Sequence, residues 1–391
     1  MLSPRIAALL EDSTPEAVDR FWAEITVTGT PLVEPYDGGR SLVTFLWRGE
    51  ATAIRAWFNI DVPLTRLPGT DLWHGSAVYP SDLRTIYCLV HDDTERVPHL
   101  PTTSGPTLID PGNPKIFHLP ADPDDPTDSD AWASILELPD APPTMWTSPQ
   151  PDTPAGLLHT DTLPSTVRGT DVRATVYLPL GADPADLPVI VVFDGYAGQT
   201  MMRMPAILDN LIAAGRIAPM AALFVHGRDE NRNNDLTPGV PIEQFVVDEL
   251  LPWARDTWKV GSPDGGNVVA GMSRGGLVAA FLALRRPDLF RAAIAHSGSF
   301  WWPSPNAGEP GRLIRDVTRA TPADVRFYLD VGLLETMQGP HGAPSQLDAC
   351  RSMRTALLDR GFPVTYREFP GGHDYVNWQH NFADAILATC T

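Results

Sequence analysis

A serine between glycines stands where an apolar, strand-like pattern gives way to a helical one. The run Gly271-Met272-Ser273-Arg274-Gly275 follows the apolar residues 267–270 and precedes the helix-like residues 277–282. A G-x-S-x-G turn in this context holds the serine oxygen above the edge of a sheet, and its glycines let strand and helix approach closely. The pattern predicts an α/β fold with Ser273 as a nucleophile; the alternative is a tight structural turn.

The hydrophobic pattern changes character along the chain. After a predicted helix over residues 1–20, strand patterns at 41–47, 53–58 and 85–90 are separated by turn residues, which is typical of a β-sandwich. From about residue 170, strand-like and helix-like runs alternate, which predicts a largely parallel sheet covered by helices on both faces. The predicted strands are 174–178, 189–193, 221–225, 267–270, 292–295, 326–331 and 365–369. The predicted helices are 207–214, 245–254, 277–286, 346–360 and 382–388.

The length of the chain and a cluster of prolines together predict two domains. The 391 residues exceed what one hydrophobic core usually takes, so we expect domains at 1–150 and 151–391. Residues 98 to 154 contain 14 of the 40 prolines. Because proline suits neither the interior of a helix nor that of a sheet, this segment is expected to be a surface linker that closes the first domain.

Composition excludes several classes of protein. A net charge of −19 argues against nucleic acid or an anionic membrane as partner. Residues 1–20 lack the apolar core of a signal peptide, and no apolar run is long enough for a membrane span. The cysteines Cys88, Cys350 and Cys390 show neither metal-ligand spacing nor a disulfide framework. We expect a reduced, cytoplasmic enzyme without a metal or cofactor.

A serine nucleophile needs a base within hydrogen-bonding reach, and the base needs an orienting partner. His373 lies in the run Gly371-Gly372-His373-Asp374, directly after the last strand-like segment, where a tight glycine turn can direct the imidazole toward Ser273. Histidine on a surface loop is otherwise often without a role. The order serine, acid, histidine of the α/β-hydrolases therefore favours His373 as the base.

The third catalytic member is an acidic residue on a loop after a strand. Glu335 follows the predicted strand 326–331 and occupies that loop. Asp330, inside the strand, and Asp374, next to His373, are its rivals. A Ser–His pair with weak acidic support is also open, because the acid orients the imidazole and does not attack the substrate.

The oxyanion of a tetrahedral intermediate requires preorganised N–H donors. One donor is expected to be the backbone N–H of Arg274, directly after the nucleophile. The second is expected from the loop after the strand 189–193, at Gly195 or Tyr196. The alternative for that loop is an ordinary turn.

Longer motifs on both halves of the chain resemble the enterochelin (enterobactin) esterases, which hydrolyse ferric siderophore trilactones. In the first half the motifs are GTPLVE (29–34), VTFLWRG (43–49), RLPGTDLW (66–73), DPGNP (110–114) and LELP (136–139). In the second half they are GMSRGG (271–276), SGSFWWP (297–303) and GGHD (371–374). RLPGTDLW and SGSFWWP are long enough to be specific, whereas G-x-S-x-G alone is not.

The resemblance implies an activity, a fold and catalytic positions. It implies hydrolysis of the esters of a cyclic tri-serine lactone with catecholate arms, which weakens the grip on Fe(III) and releases iron in the cytoplasm. It implies an immunoglobulin-like β-sandwich packed on an α/β-hydrolase domain. It also carries catalysis over to Ser273, His373 and the loop acid near Glu335. At Arg274 the chain departs from the family, which often has an aromatic residue there.

A ferric tris-catecholate is a trianion, so an acidic protein that binds it needs a local basic patch. Arg274 and Arg232 are the preferred candidates, because they lie beside or near Ser273 in the predicted topology. Further candidates are Arg203, Arg228 and Arg312, which are expected in loops or helix starts after strand ends, where the sites of α/β proteins form. Each of them alone is more often a solvated surface residue.

Two adjacent tryptophans are candidates for contact with the substrate. Trp301 and Trp302 are suited equally to stacking on catechol rings and to packing in a core.

The same scaffold also suits an aryl or feruloyl esterase or an acyltransferase. A non-catalytic protein that binds an iron chelate is the alternative from another functional class. For each of these functions we expect a small-molecule ligand, and the sequence does not determine the oligomeric state.

Overall fold

A computed structural model describes residues 2–92, 107–185, 187–227, 229–262 and 265–390 of the chain. Packing divides it into two units: unit 1 comprises Met1–Pro143 and Pro370–Val376, and unit 2 comprises Thr144–Phe369 and Asn377–Thr391. The segment 370–376 therefore packs with the first half of the chain, which a single division between residues 150 and 151 does not predict.

Unit 1 begins with two helices where the sequence predicts one over residues 1–20. These are α1 (Pro4–Glu11) and α2 (Pro15–Thr28). The Ser3 side chain caps the first helix and that of Thr14 caps the second, each before a proline at the first helical position. Because proline and a capping hydroxyl both favour a helix start, the chain begins a new helix at residue 15.

The sheet of unit 1 is antiparallel throughout its described pairs. The strands run in the order β1-β2-β5-β4-β3-β6-β9-β8, and β7 pairs with β6. Phe45 and Tyr87 are fully buried in its core, with ring centroids 5.0 Å apart. The bounds are β1 (Leu32–Pro35), β2 (Arg40–Arg48), β3 (Ile54–Phe58), β4 (Asp61–Arg66), β5 (Leu72–Pro80), β6 (Arg84–His91), β7 (Thr107–Leu108), β8 (Ile116–Leu119) and β9 (Ala131–Glu137).

The proline-rich segment is part of this sheet, so the prediction of a surface linker over 98–154 is wrong for its middle. Strand β9 pairs with β6 through Thr85↔Leu136 and Ile86↔Ile135, and β8 pairs with β9. The prolines lie between these strands and not within them, so the ladder keeps its N–H donors. The first part of the predicted linker, up to residue 106, lies outside the described residues.

Unit 2 contains the predicted, largely parallel sheet, and this confirms the α/β prediction for the second half of the chain. Its strand order is β10-β11-β13-β12-β14-β15-β16-β17; β11 is antiparallel to both of its neighbours, and the pairs from β13 to β17 are parallel. The bounds are β10 (Leu157–Ser165), β11 (Thr170–Leu178), β12 (Val189–Phe193), β13 (Ala221–Val225), β14 (Asn267–Met272), β15 (Phe290–His296), β16 (Arg326–Gly332) and β17 (Val364–Phe369).

Helices alternate with these strands. Apolar residues of α8, α10 and the central strands form one buried cluster. The predicted helix over 245–254 divides into a π-helical segment, Phe245–Leu250, and α7. The bounds are α3 (Gly195–Gln199), α4 (Met204–Ala213), α5 (Asp229–Asp235), α6 (Val240–Gln244), α7 (Leu251–Trp258), α8 (Arg274–Arg285), α9 (Arg312–Arg319), α10 (Gln346–Asp359) and α11 (Tyr375–Cys390). Within the described ranges, no helix combines the length and apolarity that crossing a bilayer requires.

Candidate active site

Ser273 occupies a strained turn between the end of β14 and the start of α8. Its backbone has φ 55° and ψ −116°, a region that non-glycine residues seldom adopt. The neighbouring glycines make the turn possible: a Cβ on Gly271 would lie 2.4 Å from the carbonyl carbon of Gly275, and one on Gly276 would lie 3.1 Å from the Gly271 oxygen. The local geometry is that of a nucleophile elbow, as the sequence predicts.

The loop that follows β15 fixes the backbone of this turn. The Ser273 N–H donates to the His296 carbonyl at 2.8 Å, and the Ser299 N–H donates to the Ser273 carbonyl at 2.9 Å. The hydroxyl oxygens of Ser273 and Ser299 are 3.3 Å apart. Sequence reasoning missed Ser299, although it belongs to the quoted SGSFWWP motif, because the motif does not reveal that β14 and β15 are neighbours.

An ion pair that the sequence does not predict lies beside the turn. Arg232 donates from Nε to Asp194 Oδ1 at 2.6 Å and from Nη2 to Oδ2 at 2.7 Å. A Cβ on Gly275 would lie 3.3 Å from Asp194 Oδ2, so this carboxylate borders the elbow. Bidentate pairing fixes the plane of the Arg232 guanidinium. The carboxylate of Asp194 also offsets the positive charge of Arg232.

The Arg274 side chain contacts the end of α5 and the residues that follow it. Its Nη2 donates to the carbonyl of Asn233 at 2.7 Å and to the Thr237 hydroxyl at 2.9 Å. Burial, and then the nearby Arg232, lower the pKa of Arg274, and Asp194 opposes them. Since an arginine stays protonated in proteins, the two guanidiniums and the Asp194 carboxylate together carry one positive charge.

The predicted oxyanion donors stand at two helix starts. The backbone N–H of Arg274 opens α8, and Gly195 and Tyr196 open α3 after Asp194, which has φ 57° and ψ 51°. The first N–H groups of a helix have no acceptor within it. A Cβ on Gly195 would lie 2.5 Å from the carbonyl carbon of Phe224, so the close approach of the α3 start to β13 requires glycine.

Glu335 lies in the loop after β16 and is nearly buried, at 8% exposure. Its Oε1 accepts hydrogen bonds from the Ser297 hydroxyl at 2.6 Å and from the Gly332 N–H at 2.7 Å. The Ser297 oxygen in turn accepts from the Trp378 indole N–H at 3.0 Å. The loop 297–299 thus contacts the predicted acid with its first serine and the predicted nucleophile with its last.

The rival acids have other partners. Asp330 Oδ2 lies 2.8 Å from His296 Nδ1, and both side chains are fully buried, Asp330 within β16 and His296 at the end of β15. Asp374 belongs to the segment that packs with unit 1, where its Oδ2 accepts from Thr85 and Asn59. Glu335 too is buried and hydrogen-bonded, so its role as the acid stays a prediction.

His373 is half-buried in the bend between β17 and α11, within the segment that packs in unit 1. Its backbone N–H donates to Asn59 Oδ1 at 3.0 Å. That His373 acts as the base for Ser273 stays a prediction.

The remaining substrate-binding candidates have contacts of their own. Trp301 and Trp302 are half-buried and pack against the core of unit 2, and the Trp301 indole donates to Gln346 Oε1 at 2.7 Å. The Arg312 guanidinium lies 5.8 Å from the Trp302 ring centroid, and Arg203 is exposed at the start of α4. Arg228 lies outside the described residues. Stacking of either tryptophan on a catechol ring stays a prediction.

Two family models match the chain. The family described as "Putative esterase" matches residues 165–389, more than half of the chain, and the domain described as enterochelin esterase, N-terminal, matches residues 42–147.

Similar proteins span nearly the same length. The iron(III) enterobactin esterase of Dickeya dadantii (strain 3937) is 29% identical over 97% of this chain and 94% of that protein. The iron(III) salmochelin esterase of Escherichia coli O6:H1 is 26% identical over 94% of this chain and 92% of that protein. The ferric enterobactin esterase structure from Salmonella typhimurium has a TM-score of 0.77 at 22% identity, covering 95% of this chain and 98% of that one. The last comparison shows a shared fold.

Proposed function

Because this chain belongs to the enterochelin esterase family, we propose that it hydrolyses the ester bonds of catecholate siderophore trilactones with Ser273 as nucleophile. The relatives described above are named for iron(III) enterobactin and iron(III) salmochelin, which directs the proposal to iron-loaded substrates. The iron ion is cargo of the substrate and not a resident cofactor of the protein.

The observation that carries this proposal is the strained elbow at Ser273. A serine held at φ 55° between two close glycines has no structural advantage over glycine at the same position, which would adopt that backbone without strain. Ser273 is half-buried, its hydroxyl adjoins that of Ser299, and the residue directly precedes the start of α8. These are the surroundings that ester hydrolysis requires.

The proposed reaction proceeds through an acyl-enzyme. The Ser273 oxygen attacks the ester carbonyl while its proton passes to His373, and the protonated imidazole then gives that proton to the departing serine alkoxide of the lactone. Water attacks the acyl-enzyme in the second half, with the same histidine as base, and releases the carboxylate and free Ser273. Glu335 orients the imidazole and stabilises its protonated form.

The oxyanion of each tetrahedral intermediate is proposed to bind the backbone N–H groups of Arg274 and of Gly195 or Tyr196. The bidentate Arg232–Asp194 pair supports this assignment, because it fixes the side chain of Asp194, the left-handed residue immediately before Gly195. A donor fixed before the reaction begins needs no reorganisation as charge develops, which is the source of its catalytic value.

The arginines near Ser273 suit an anionic substrate. Arg232 and Arg274 together carry one more charge than Asp194 offsets, although the chain as a whole carries −19. Screening reduces the repulsion by the rest of the protein beyond about 8 Å at physiological ionic strength. Trp301 and Trp302 are proposed as stacking surfaces for catechol rings.

Two finer proposals concern the fold and the compartment. We propose that the sheet of unit 1 is an immunoglobulin-like β-sandwich, supported by the short β4–β5 pairing of Thr65↔His74 and Arg66↔Trp73, where one continuous ladder can fold over. We also propose a cytoplasmic location, supported by the buried free thiols of Cys88 and Cys350.

Mass spectrometry of the products tests the proposed function. The protein, its Ser273→Ala variant and the control Ser352→Ala, which changes an exposed serine on α10, are each incubated with iron-loaded and iron-free enterobactin. Linear trimer, dimer or monomer from the unchanged protein and the control, but not from Ser273→Ala, supports the proposal. Labelling of Ser273 by a phosphonate without cleavage keeps an esterase and rejects this substrate. Neither cleavage nor labelling favours a binding protein.

A further inference from the structure

The segment that carries His373 is held by side chains from two strand ends of unit 1. We propose that Asn59, after β3, and Thr85, in β6, are positioning residues for His373. This inference rests on the proposed function, in which His373 is the base for Ser273. It concerns the conformation of the Gly371-Gly372-His373-Asp374 loop, which packs within unit 1.

Asn59 contacts the loop at both of its polar residues. Its Oδ1 accepts from the His373 backbone N–H at 3.0 Å, and its Nδ2 donates to Asp374 Oδ2 at 2.8 Å. The same Nδ2 donates its second hydrogen to the Thr85 hydroxyl at 2.9 Å. The amide therefore uses its acceptor and both donors within one network, which fixes its orientation.

Thr85 completes the network from a fully buried position. Its hydroxyl donates to Asp374 Oδ2 at 2.7 Å, and the Asp374 side chain is fully buried as well. A buried carboxylate is costly unless it accepts hydrogen bonds, so the donors from Asn59 and Thr85 help to hold Asp374 in place. His373 is the residue immediately before this anchor.

Two further contacts bring the loop close to the same strands. The Arg84 N–H donates to the Pro370 carbonyl at 3.1 Å, just before the glycines. A Cβ on Gly372 would lie 2.2 Å from Asn59 Cγ, so Asn59 reaches this position only because residue 372 is glycine. The GGHD motif thus combines a docking glycine, a reactive histidine and a buried anchor in three successive residues.

This arrangement predicts a catalytic effect that exceeds any change in substrate binding. When a supporting group is lost, a displacement of the base by about 1 Å is enough to lower the rate by about 100-fold. Substrate binding through unit 2 is not expected to depend on Asn59 or Thr85. Removal of either side chain should therefore lower kcat and leave KM nearly unchanged.

The experiment compares Thr85→Val, which deletes the hydroxyl in a similar volume, with Thr85→Ser, which keeps it. The control Thr44→Val removes another buried threonine hydroxyl of unit 1, which lies 2.8 Å from the Ser76 hydroxyl. With enterobactin as substrate, we expect Thr85→Val to lower kcat about 10- to 100-fold with KM changed less than about threefold. Thr85→Ser should restore most of kcat, and Thr44→Val should keep it.

A second variant protects the test against a folding defect. If Thr85→Val does not fold, Asn59→Ala, which changes a half-buried residue, is measured in the same way. Ser273→Ala and His373→Ala are measured alongside, and the proposed function requires both to abolish turnover. Given that result, full kcat in a folded Thr85→Val or Asn59→Ala protein overturns the inference. A loss of kcat in Thr44→Val equal to that in Thr85→Val also overturns it. Turnover that survives in His373→Ala instead rejects the proposed function, and the positioning inference with it.

Discussion

The carboxylate of Glu335 accepts a hydrogen bond from the Ser297 hydroxyl at 2.6 Å. Ser299, two residues after Ser297 in the loop that follows β15, has its hydroxyl 3.3 Å from that of Ser273. One tight loop after β15 therefore fixes both the predicted acid and the predicted nucleophile. The sequence identifies each end of this relationship but not the loop that joins them.

Glu335→Gln should identify the acid of the proposed triad. Glutamine keeps an oxygen for the Gly332 N–H but loses the charge that stabilises a protonated imidazole. We expect kcat for enterobactin to fall by about 10³- to 10⁴-fold, with the protein still folded. Steady-state kinetics with circular dichroism of the same sample measure both.

Asp330→Asn is the matched comparison for Glu335→Gln. Asp330 is fully buried against His296, so its loss should lower stability and leave the kcat of the folded protein within about threefold. If Asp330→Asn abolished turnover and Glu335→Gln did not, the acid would be Asp330.

Gly271→Ala should disrupt the elbow itself. The added Cβ would lie 2.4 Å from the backbone carbon of Gly275, and backbone on both sides leaves it no room to move. We expect a loss of at least about 3 kcal/mol in the free energy of unfolding, measured by urea denaturation. Gly227→Ala is the control, because a Cβ there meets nothing within 4 Å. Equal stability of the two variants would falsify the close approach of strand and helix.

Arg232→Lys should loosen the loop that carries the second predicted oxyanion donor. Lysine cannot make the two parallel bonds to Asp194 that arginine makes. We expect kcat to fall about 10-fold. Arg351→Lys is the matched control, because Arg351 pairs with Glu368 in the same bidentate way on an exposed surface. A fall of kcat in both variants, or in neither, contradicts a specific role for the Arg232–Asp194 pair.

The elbow at Ser273 is predictable because strand pattern, glycines and helix pattern are contiguous in sequence. The Arg232–Asp194 pair and the contacts of Ser297 and Ser299 are not, because they depend on which parallel strands become neighbours. The two leading helices could be recognised from Thr14-Pro15, a cap followed by a proline at the first helical position. The strands at 116–119 and 131–137 contain no proline. The prolines that surround them predict a linker, because an average over the segment does not distinguish the strands from the turns between them.

The buried carboxyl of Asp110 should make the stability of the protein depend on pH. Asp110 is 1% exposed and accepts hydrogen bonds from the Thr30 and Tyr87 hydroxyls, each at 2.6 Å. Burial raises the pKa of Asp110 above its ordinary value of 3.8, although the hydrogen bonds from Thr30 and Tyr87 oppose this. The folded protein therefore holds this proton to a higher pH than the unfolded chain does.

The sign of the effect follows from that difference in proton binding. The stabilisation due to the raised pKa is complete below the pKa of the unfolded carboxyl and is lost as the pH rises through the raised value in the folded state. Asp110→Asn should lower the free energy of unfolding by about 1–3 kcal/mol, because the hydrogen bonds to the amide are imperfect. The deficit relative to the unchanged protein should be largest in acid and shrink as the pH rises. Urea denaturation at a series of pH values, with the exposed Asp37→Asn as control, measures this trend. A deficit that instead grows with pH means that the hydrogen bonds outweigh burial and that the pKa of Asp110 is lowered.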